Sequence, residues 1–506
     1  MSQLHPLSIP YRVAQSVVGY LPLVFFATVA SGPAFGGIGI ALAVLAAVVG
    51  FVAVAGWQVA YYRRFEYVTT PDTFDIRSGV ISRRNREIPY RRVQNVDISR
   101  NVVQRALDIA ELRIETAGGG ETEAVLRYVG YEEAKRLQDE LRRRKRADST
   151  ATTDEDRPDE DEALLYAITP EDLGVLAIAS FDLRLASFLS VALSFAGPPV
   201  LIELLTDLPV SPFLVLGAVI VLVVVASALL SGANAVLNTY GFRLSRSGDE
   251  LRYERGLIQR YDGSIPLDKV QSLVVRENLL KRLLGYASLS VETAGYAPGQ
   301  EGSVGSESAV PIADRETTLG IAREIEPFEE VEITRPPKRA RRRYAFRYLL
   351  VLAVLATAVY AATWALGFEM YWYVPLLGVP LAPVAAHYKW ASRGYFLGAD
   401  HVGTRTGFWN RTTRVVPYYR VQNVIETQTF LQRRWRLASV LVDTAGTSGL
   451  VGGDARALDL DSGGATGLRE TVGDRLQTAL RKRKRDSARA GRERRIDRAI
   501  PRFEDA

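Results

Sequence analysis

Two polar side chains recur at fixed spacing in three stretches of the chain, and they are the first candidates for chemistry. They are Gln94, Gln271 and Gln422, and an arginine eleven residues further on, Arg105, Arg282 and Arg433. An amide and a guanidinium bind through hydrogen bonds, but neither is a nucleophile or a general base at neutral pH. We therefore expect structural roles, in which the glutamine bonds a turn and the arginine bridges a helix to a sheet. Contact with a ligand is the alternative.

These residues belong to a segment of about thirty residues that occurs three times without insertion or deletion. The copies begin at Pro89, Pro266 and Pro417 and end in Thr-Ala-Gly, with the glycine 29 residues after the proline. Eight positions are identical in all three copies, so the protein is a triplicated module. The other members of the motif are a basic residue three positions after the proline and the final glycine: Arg92, Lys269, Arg420, Gly118, Gly295 and Gly446.

The side chains on which most enzymes and metal sites depend are scarce. The chain has no cysteine, and its three histidines are scattered at His5, His387 and His401. No Ser/His/Asp arrangement, nucleotide-binding loop or paired carboxylate recurs in the three copies. We therefore predict that the protein is not an enzyme and has no catalytic residue, cofactor or metal site.

Each copy indicates the same local structure. Asn101, Asn278 and Thr429 are N-cap residues for a short helix. Apolar doublets predict that this helix buries one face; they are Val102-Val103, Ala106-Leu107, Leu279-Leu280, Leu283-Leu284 and Phe430-Leu431. A strand follows in which apolar and polar residues strictly alternate, with Leu112 and Ile114 pointing to the core. Downstream of each copy, an amphipathic helix ends the module. This order predicts a small antiparallel sandwich or open barrel with a helix over one end.

The repeated motif resembles that of a known family. The run from R-x-G through I-P-x-x-[RK]-V-Q-[NS]-V to R-x-L-x-x-A-x-L-x-[VI]-[ED]-T-A-G is similar to the PH-like membrane proteins of prokaryotes, of the YdbS-like or YdbT-like type. The resemblance covers essentially the whole chain and identifies it as a three-module member. It implies transmembrane hairpins paired with PH-like domains, each a bent seven-stranded sheet capped by a C-terminal helix. It implies architecture more than activity.

Two apolar runs precede each copy, and each run approaches the length of about 20 residues that spans a bilayer. The runs cover residues 17–30, 38–60, 185–202, 213–235, 348–366 and 371–386. We predict six transmembrane helices in three hairpins, the first turning at Ser31-Gly32-Pro33. The loops inside the pairs contain no Lys or Arg, whereas the opposite flanks are rich in arginine, such as Arg63 and Arg341. The positive-inside rule then places both termini and all three modules in the cytoplasm, on a multi-pass cell-membrane protein.

The predicted fold class is an α+β membrane protein in which each of three hairpins is followed by a PH-like domain. The predicted boundaries are 1–61 for the first hairpin, 62–147 for PH-like domain 1, 148–166 for an acidic linker, 167–237 for the second hairpin with a preceding amphipathic helix, 238–334 for PH-like domain 2, 335–392 for a basic segment and the third hairpin, 393–485 for PH-like domain 3, and 486–506 for a charged tail.

Basic clusters near the membrane are candidates for contact with anionic lipid. The candidates are Arg83, Arg84, Arg86, Arg481, Lys482, Arg483, Lys484 and Arg485. The alternative is that these charges only set the membrane orientation and keep the helix ends solvated. The sequence disfavours nucleic acid as a partner, because no base-stacking aromatic residues are interleaved with the charges.

The sequence therefore favours a non-enzymatic platform that presents three cytoplasmic PH-like domains for protein interaction or assembly at the membrane. Three linked modules gain avidity for a multimeric partner. A lipid-handling or envelope-export component, whose modules contact anionic headgroups, is the alternative. The expected partners are membrane lipids and an unidentified membrane or cytoplasmic protein, and self-association is left open.

Overall fold

The structure of the chain is a computed structural model. It describes residues 2–116, 124–149, 162–180, 212–293, 308–329, 332–366, 371–445 and 455–499. The chain forms two compact units, each considered by itself below. Unit 1 comprises Met1–Ala167 and Ala233–Pro266, and unit 2 comprises Ile168–Gly232 and Leu267–Ala506.

The described residues form twenty strands. They are β1 Ser2–Gln3, β2 Glu66–Thr69, β3 Thr73–Ser78, β4 Arg84–Pro89, β5 Val93–Arg100, β6 Ile109–Thr116, β7 Ala124–Gly130, β8 Ala163–Ala167, β9 Arg243–Ser247, β10 Glu250–Arg255, β11 Arg260–Pro266, β12 Val270–Asn278, β13 Tyr286–Thr293, β14 Ser308–Asp314, β15 Gly394–Leu397, β16 His401–Thr406, β17 Asn410–Pro417, β18 Val421–Thr427, β19 Leu437–Thr444 and β20 Ala455–Asp461.

Eleven α-helices lie in the same described ranges. They are α1 Ser8–Arg63, α2 Val102–Ala106, α3 Tyr131–Ser149, α4 Pro170–Ala179, α5 Pro212–Thr239, α6 Leu279–Leu284, α7 Arg315–Ile325, α8 Arg339–Leu366, α9 Leu381–Ala391, α10 Phe430–Arg434 and α11 Ser462–Ala499.

Two of the four sheets in the described structure contain strands from two modules. Unit 1 contains the sheets β1-β2-β3-β4 and β7-β6-β5-β11-β10-β9-β8, and unit 2 contains β14-β13-β12-β17-β16-β15 and β18-β19-β20. The last three strands of module 1 thus share a sheet with the first four of module 2. The last three strands of module 2 likewise share a sheet with the first three of module 3. Antiparallel pairing at β5–β11 and at β12–β17 makes the two junctions.

Modules 1 and 2 each contribute seven strands and a C-terminal helix, with the short helix between the fifth and sixth strands, which fits the predicted PH-like fold. In module 3 an isolated bridge between Thr334 and Tyr395 stands where the first strand is in the other copies. The predicted alternation is confirmed: Leu112 and Ile114 are fully buried in the core of unit 1. Their equivalents Val440 and Val442 lie in the core of unit 2, under α11.

A strand before each apolar segment pairs with the first strand after it. β1 pairs with β2, and β8 pairs with β9. β8 lies at the end of the predicted acidic linker, so an ordered strand begins three residues before that predicted boundary. The run Ala163–Ala167 is apolar, but it directly follows acidic residues, and most of it was therefore predicted to belong to the linker. The apolar segments therefore leave and rejoin the same sheet.

Three helices in the described ranges are long and apolar enough to cross a membrane: Leu45–Arg63, Val221–Thr239 and Arg339–Ala365. One precedes each module, where a pair of spans was predicted. The prediction of a hairpin at the first of them is wrong, because α1 continues unbroken through Ser31-Gly32-Pro33. Proline removes one helical hydrogen bond, but an apolar segment gains nothing by exposing further backbone groups to lipid. No charged residue between Arg12 and Arg63 favours a turn there.

The third apolar pair folds back on itself as predicted. Ala386 of α9 packs with Tyr344 of α8, and nearer the tip the rings of Tyr360 and Trp372 lie 5.9 Å apart. α9 has only eleven residues, fewer than a span needs, although a 3-10 turn at Val374–Gly378 extends it. The first run of the second pair lies outside the described residues.

Candidate functional site: the junctions between modules

The repeated prolines end the strands that form or could form a junction. Pro89, Pro266 and Pro417 are the last residues of β4, β11 and β17, and a 3-10 turn follows each one. Pro89 and Pro417 both have φ of −62°, which the pyrrolidine ring enforces. Among the basic residues that end these turns, Lys269 pairs with Asp268 at 3.4 Å and Arg420 donates to the Asp268 carbonyl.

The repeated glutamine occupies a β-bulge. The pairing of β5 with β6 skips from Val93 to Asn95, so Gln94 is the extra residue. The same shift brackets Gln271 and Gln422 in the other copies. Gln271 is buried, and its amide donates to the Lys269 carbonyl at 3.1 Å. A bulge bends the strand and increases its twist, so the motif sets the bend at the start of each second sheet.

The repeated arginine reaches into the next module. Arg105 of α2 donates to the Leu257 carbonyl, 152 residues away, and Arg282 of α6 donates to the Phe408 carbonyl at 3.5 Å. Leu257 and Phe408 are both nine residues before the proline of their own copy. The two arginines thus make the same contact at the two junctions. The expected contact of the arginine beyond its helix exists, but its acceptor lies in the turn between two strands of the neighbouring module.

A tight hairpin turn presents the accepting carbonyl. Gly256 and Gly407 precede Leu257 and Phe408 with φ of 100° and 103°, and Gly79 has φ of 110° in the first copy. A Cβ atom on Gly256 would lie 1.8 Å from the Gln259 carbonyl oxygen. Only glycine fits this left-handed position, so the turn that receives the arginine has one shape in all three copies.

The two junctions have identical register. Arg260 lies opposite Arg100 in the first junction, and Arg411 lies opposite Glu277 in the second. In both pairs the two residues are six positions before and eleven positions after the proline of their own copies. The repeat therefore encodes the alignment of neighbouring modules as well as the fold of each one.

Buried ion pairs stabilise the second junction. The Glu277 carboxylate, only 3% exposed, accepts two hydrogen bonds from Arg411 at 2.6 and 2.7 Å. Arg315 lies 3.7 Å from the same carboxylate. Glu292 of β13 pairs with Arg414 across the intervening strand. Bidentate guanidinium–carboxylate pairs fix geometry as well as charge, so these contacts specify the register.

The short helices begin at the predicted N-cap residues, but they do not bury the apolar face that the sequence predicted. Asn101 accepts from the Gln104 backbone at 2.8 Å and Asn278 from that of Lys281 at 2.8 Å, which confirms the N-caps. The apolar doublets, however, are exposed, up to 75% at Leu283 and 76% at Phe430. The core already contains the flanking strands, and the helix is too short to reach it with its apolar face. These side chains form an apolar surface instead.

A family model described as the bacterial PH domain matches residues 18–145, 200–328 and 346–483. The chain belongs to the bacterial PH domain family. The UPF0699 transmembrane protein YdbT of Bacillus subtilis (strain 168) is 24% identical over 473 residues, which cover 88% of this chain and 93% of the relative. No solved structure matches the chain significantly. The protein is thus a membrane protein with three bacterial PH domains, similar to a transmembrane protein of nearly the same extent.

The third bacterial PH domain has a basic cavity beside the start of α8, and Arg393, which follows α9, also lines it. The cavity measures about 390 Å³, and its charged lining residues are Arg343, Arg347, Arg393, Arg456 and Asp459. Asp459 accepts from the Tyr344 hydroxyl at 2.7 Å and from the Gln432 amide at 2.8 Å, and it pairs with Arg343 and Arg393. Four guanidinium groups face one carboxylate, so the cavity attracts anions.

Lys281 of α6 replaces a glutamine. The equivalent residues in the other bacterial PH domains are Gln104 and Gln432. The Gln432 amide donates to the Ser439 hydroxyl at 2.8 Å, and Lys281 donates to the equivalent Ser288. Burial, and secondly the neighbouring Arg276, lower the pKa of Lys281 from 10.5 to about 8.

Sequence reasoning missed an arginine on the capping helices. Arg144 of α3 donates to the Thr70 carbonyl and to the Tyr90 hydroxyl, and Arg475 of α11 makes the same pair of contacts with Gly398 and Tyr418. The signal was the tyrosine directly after the proline in these two copies. Each arginine locks the capping helix to the first hairpin of its own domain.

The predicted lipid contacts fall on two exposed surfaces. Arg83, Arg84 and Arg86 are exposed on or beside β4, and residues 481–485 are exposed on α11. Arg483 stacks on the Tyr419 ring at 4.6 Å. The glycines that end the three motif copies, Gly118, Gly295 and Gly446, lie outside the described residues.

Proposed function

We propose that the protein is a non-enzymatic membrane scaffold whose three bacterial PH domains, joined in series by shared sheets, present an assembly surface on the cytoplasmic side. The observation that carries this proposal is the use of the repeated arginine. Arg105 and Arg282 both contact the next domain, so the repeated arginine of the motif joins one domain to the next. A shared sheet holds the domain parts that it joins in one register, which gives a scaffold defined spacing within each unit.

The cytoplasmic placement rests on the arginine bias at the helix flanks. The absence of cysteine allows a direct test, because a single Glu132→Cys variant has one thiol, on an exposed position of α3. We expect a membrane-impermeant maleimide to label this thiol only after the cells are broken. Labelling of intact cells would contradict the cytoplasmic placement.

The scaffold proposal is tested by mass spectrometry of proteins that copurify with the full chain after mild crosslinking in native membranes. We expect a stoichiometric protein partner. The comparison variant is Glu277→Gln, which removes the charge that Arg411 pairs with at the second junction. Loss of the partner from this variant supports a surface that depends on joined domains. Recovery of lipid of one class without any protein contradicts the proposal.

A lipid-handling role is the second candidate, and the basic cavity of the third domain favours it. The cavity lies beside the arginine-rich start of α8, whose later residues are apolar, so a lipid phosphate could enter it while the acyl chains stay in the bilayer. The exposed apolar side chains of α10 and of the turn after Gly407, such as Phe430 and Trp409, suit the same interface.

Quantitative lipid analysis of the purified full chain tests this role. We expect enrichment of anionic lipid that falls when Arg347→Gln and Arg456→Gln are combined. The matched control is Arg469→Gln on α11, an arginine that is 46% exposed and lies outside the cavity. An equal loss in the control, or no enrichment in the wild type, would exclude the cavity as a specific site.

A further inference from the structure

Two strands of the described structure have junction positions but no junction. β4 is the last strand of its sheet, at the place that β11 and β17 take in the other domains. β18 is the edge of the last sheet, at the place of β5 and β12. Within the described ranges, neither outer edge pairs with another strand. Among the described strands, the first domain thus has an open β4 edge, which corresponds to β11 and β17. The third domain has an open β18 edge, which corresponds to β5 and β12.

The side chains at these edges match those that pair inside the molecule. At the second junction Glu292 binds Arg414. The residues at the same motif positions are Asp443 on β19 and Arg86 on β4. Pairing of the two edges therefore brings Asp443 to Arg86, as the second junction brings Glu292 to Arg414. This agreement argues for a second copy of the chain as the partner, because β4 and β18 complement each other.

The repeated arginine supports the same pairing. Arg433 of α10 is the third copy of Arg105 and Arg282, but its side chain is exposed and donates no hydrogen bond to the described residues, while its backbone N–H bonds within the helix. Its target by equivalence is the carbonyl of Val80, in the turn after Gly79. That carbonyl accepts from Arg64 at 2.7 Å, and its second lone pair can accept another donor.

We propose that β18 of one copy pairs with β4 of a second copy, in the register of the two internal junctions. The register places Thr427 opposite Arg84 and brings Asp443 to Arg86. Such a contact joins different surfaces head to tail, so it produces rows or rings of chains in the membrane plane. This pairing goes beyond the scaffold proposal, since it needs no other protein and can fail or hold independently of that proposal.

The β4 edge has the features of a regulated contact. β4 is short and has Arg84 and Arg86 on it, and charges of this kind prevent promiscuous pairing of edge strands. A partner with an acid at the matching position overcomes the protection. The membrane confines all copies to one orientation, which reduces the entropy lost on association.

Disulfide trapping tests the proposal in the full chain, which has no cysteine of its own. Arg84→Cys and Thr427→Cys are placed on two differently tagged copies and expressed together in membranes. Directly opposed residues of an antiparallel pair have Cα atoms about 4.5–5.5 Å apart, within the range that a disulfide bridges. We expect a crosslinked dimer that contains both tags.

Three controls fix the interpretation. Arg276→Cys with Thr412→Cys in one chain occupies the equivalent pair of the second junction and must crosslink within the chain. Asn85→Cys with Thr427→Cys is one residue out of register and is expected to crosslink weakly. Arg433→Met is expected to reduce the dimer about tenfold to thirtyfold, as loss of one charged hydrogen bond implies, and Arg434→Met to leave it unchanged.

Absence of the mixed dimer, while the internal control crosslinks, would overturn the proposal. Equal yield from the in-register and out-of-register pairs would also overturn it, because it would show collision and not pairing. When both substitutions are placed on one chain, a ladder of multimers supports the proposal. A crosslinked monomer alone would show that the two edges pair within a single chain, and this too would contradict it.

Discussion

The inner strand β12 and the outer strand β18 occupy the same motif positions in neighbouring domains, yet their surroundings differ. Gln271, Ser272 and Val274 of β12 are buried, the last of them completely. Their equivalents in β18 are exposed, and Ile425 at the position of Val274 is 43% exposed. The difference comes from the presence of β17 beside β12. Burial along this strand is therefore a property of the junction and not of the single domain.

The receiving strands differ in the same way. Arg414 and Val415 of β17 are buried at the second junction, whereas Arg86 and Glu87 at the same positions of β4 are exposed. At the second of these positions the first copy has the charged Glu87 where the third has the apolar Val415. The motif therefore pairs strands at the two inner junctions, whereas the equivalent outer edges of β4 and β18 pair with no other strand among the described residues.

The largest expected effect is loss of the buried charge at the second junction. Glu277→Gln leaves Arg411 without its carboxylate, and removing one partner of a buried pair costs about 3–5 kcal/mol. Native-state hydrogen exchange of β12 and β17 measures this loss as a lower free energy of opening. Glu254→Gln is the control, because the Glu254–Arg260 pair is about half exposed and such pairs contribute about 0–1 kcal/mol. Equal effects would contradict the assigned role of burial.

The next effect is a pH dependence confined to the second domain. Lys281 has a folded pKa of about 8 against 10.5 in the unfolded chain, so the unfolded state binds more protons between these values. The free energy of opening β12 and β13 should therefore rise with pH from 8 to 10.5, by about 3 kcal/mol at most. Lys281→Gln, which installs the residue of the other two copies, should remove this rise and stabilise the strands at neutral pH. A rise of the same size in the variant would rule out Lys281 as its origin.

A smaller effect is expected for the repeated arginines at the inner junctions. Arg105→Met and Arg282→Met each remove one hydrogen bond from a charged donor and should lower the free energy of opening of β11 or β17 by about 1–2 kcal/mol. Hydrogen exchange of these two strands measures the change. If both variants exchange like the wild type, the arginines do not stabilise the junctions.

The smallest effect is expected at the outer edge. Arg433→Met should change the free energy of opening of β18 by less than about 0.5 kcal/mol in dispersed single copies, because the side chain is exposed there. The same exchange measurement on dilute detergent-solubilised protein checks it. A loss as large as that of Arg282→Met would mean that Arg433 already has a partner within its own chain.

Local features of the fold could be predicted from the sequence because their causes are local. The N-caps at Asn101 and Asn278 depend on a backbone amide three residues away, and the alternation at Leu112 and Ile114 depends on the strand itself. The partner of Arg105 could not be predicted, because it lies 152 residues further along the chain in another domain. A repeat specifies which positions matter, but it does not say whether they act within one copy or between copies.

The errors of the sequence analysis have the same origin. The apolar doublets of the short helices were expected to be buried, since periodicity identifies an apolar face without saying what covers it. The turn expected at Pro33 relied on residues that only weaken a helix, and the surrounding apolar run kept α1 continuous. The strand β8 was hidden by the acidic residues before it. In each case a tertiary or membrane environment decided the outcome.

The central claim is that the repeated motif joins neighbouring domains through shared sheets. Hydrogen exchange of the dispersed wild-type chain, read at β12 and β18 in one experiment, tests it most directly, because these strands occupy equivalent motif positions and a junction covers only β12 among the described residues. The account predicts slow exchange along β12, including Val274 and Val275, which pair with β17, and much faster exchange at the outward amides of β18. Equally fast exchange in both strands would contradict the claim.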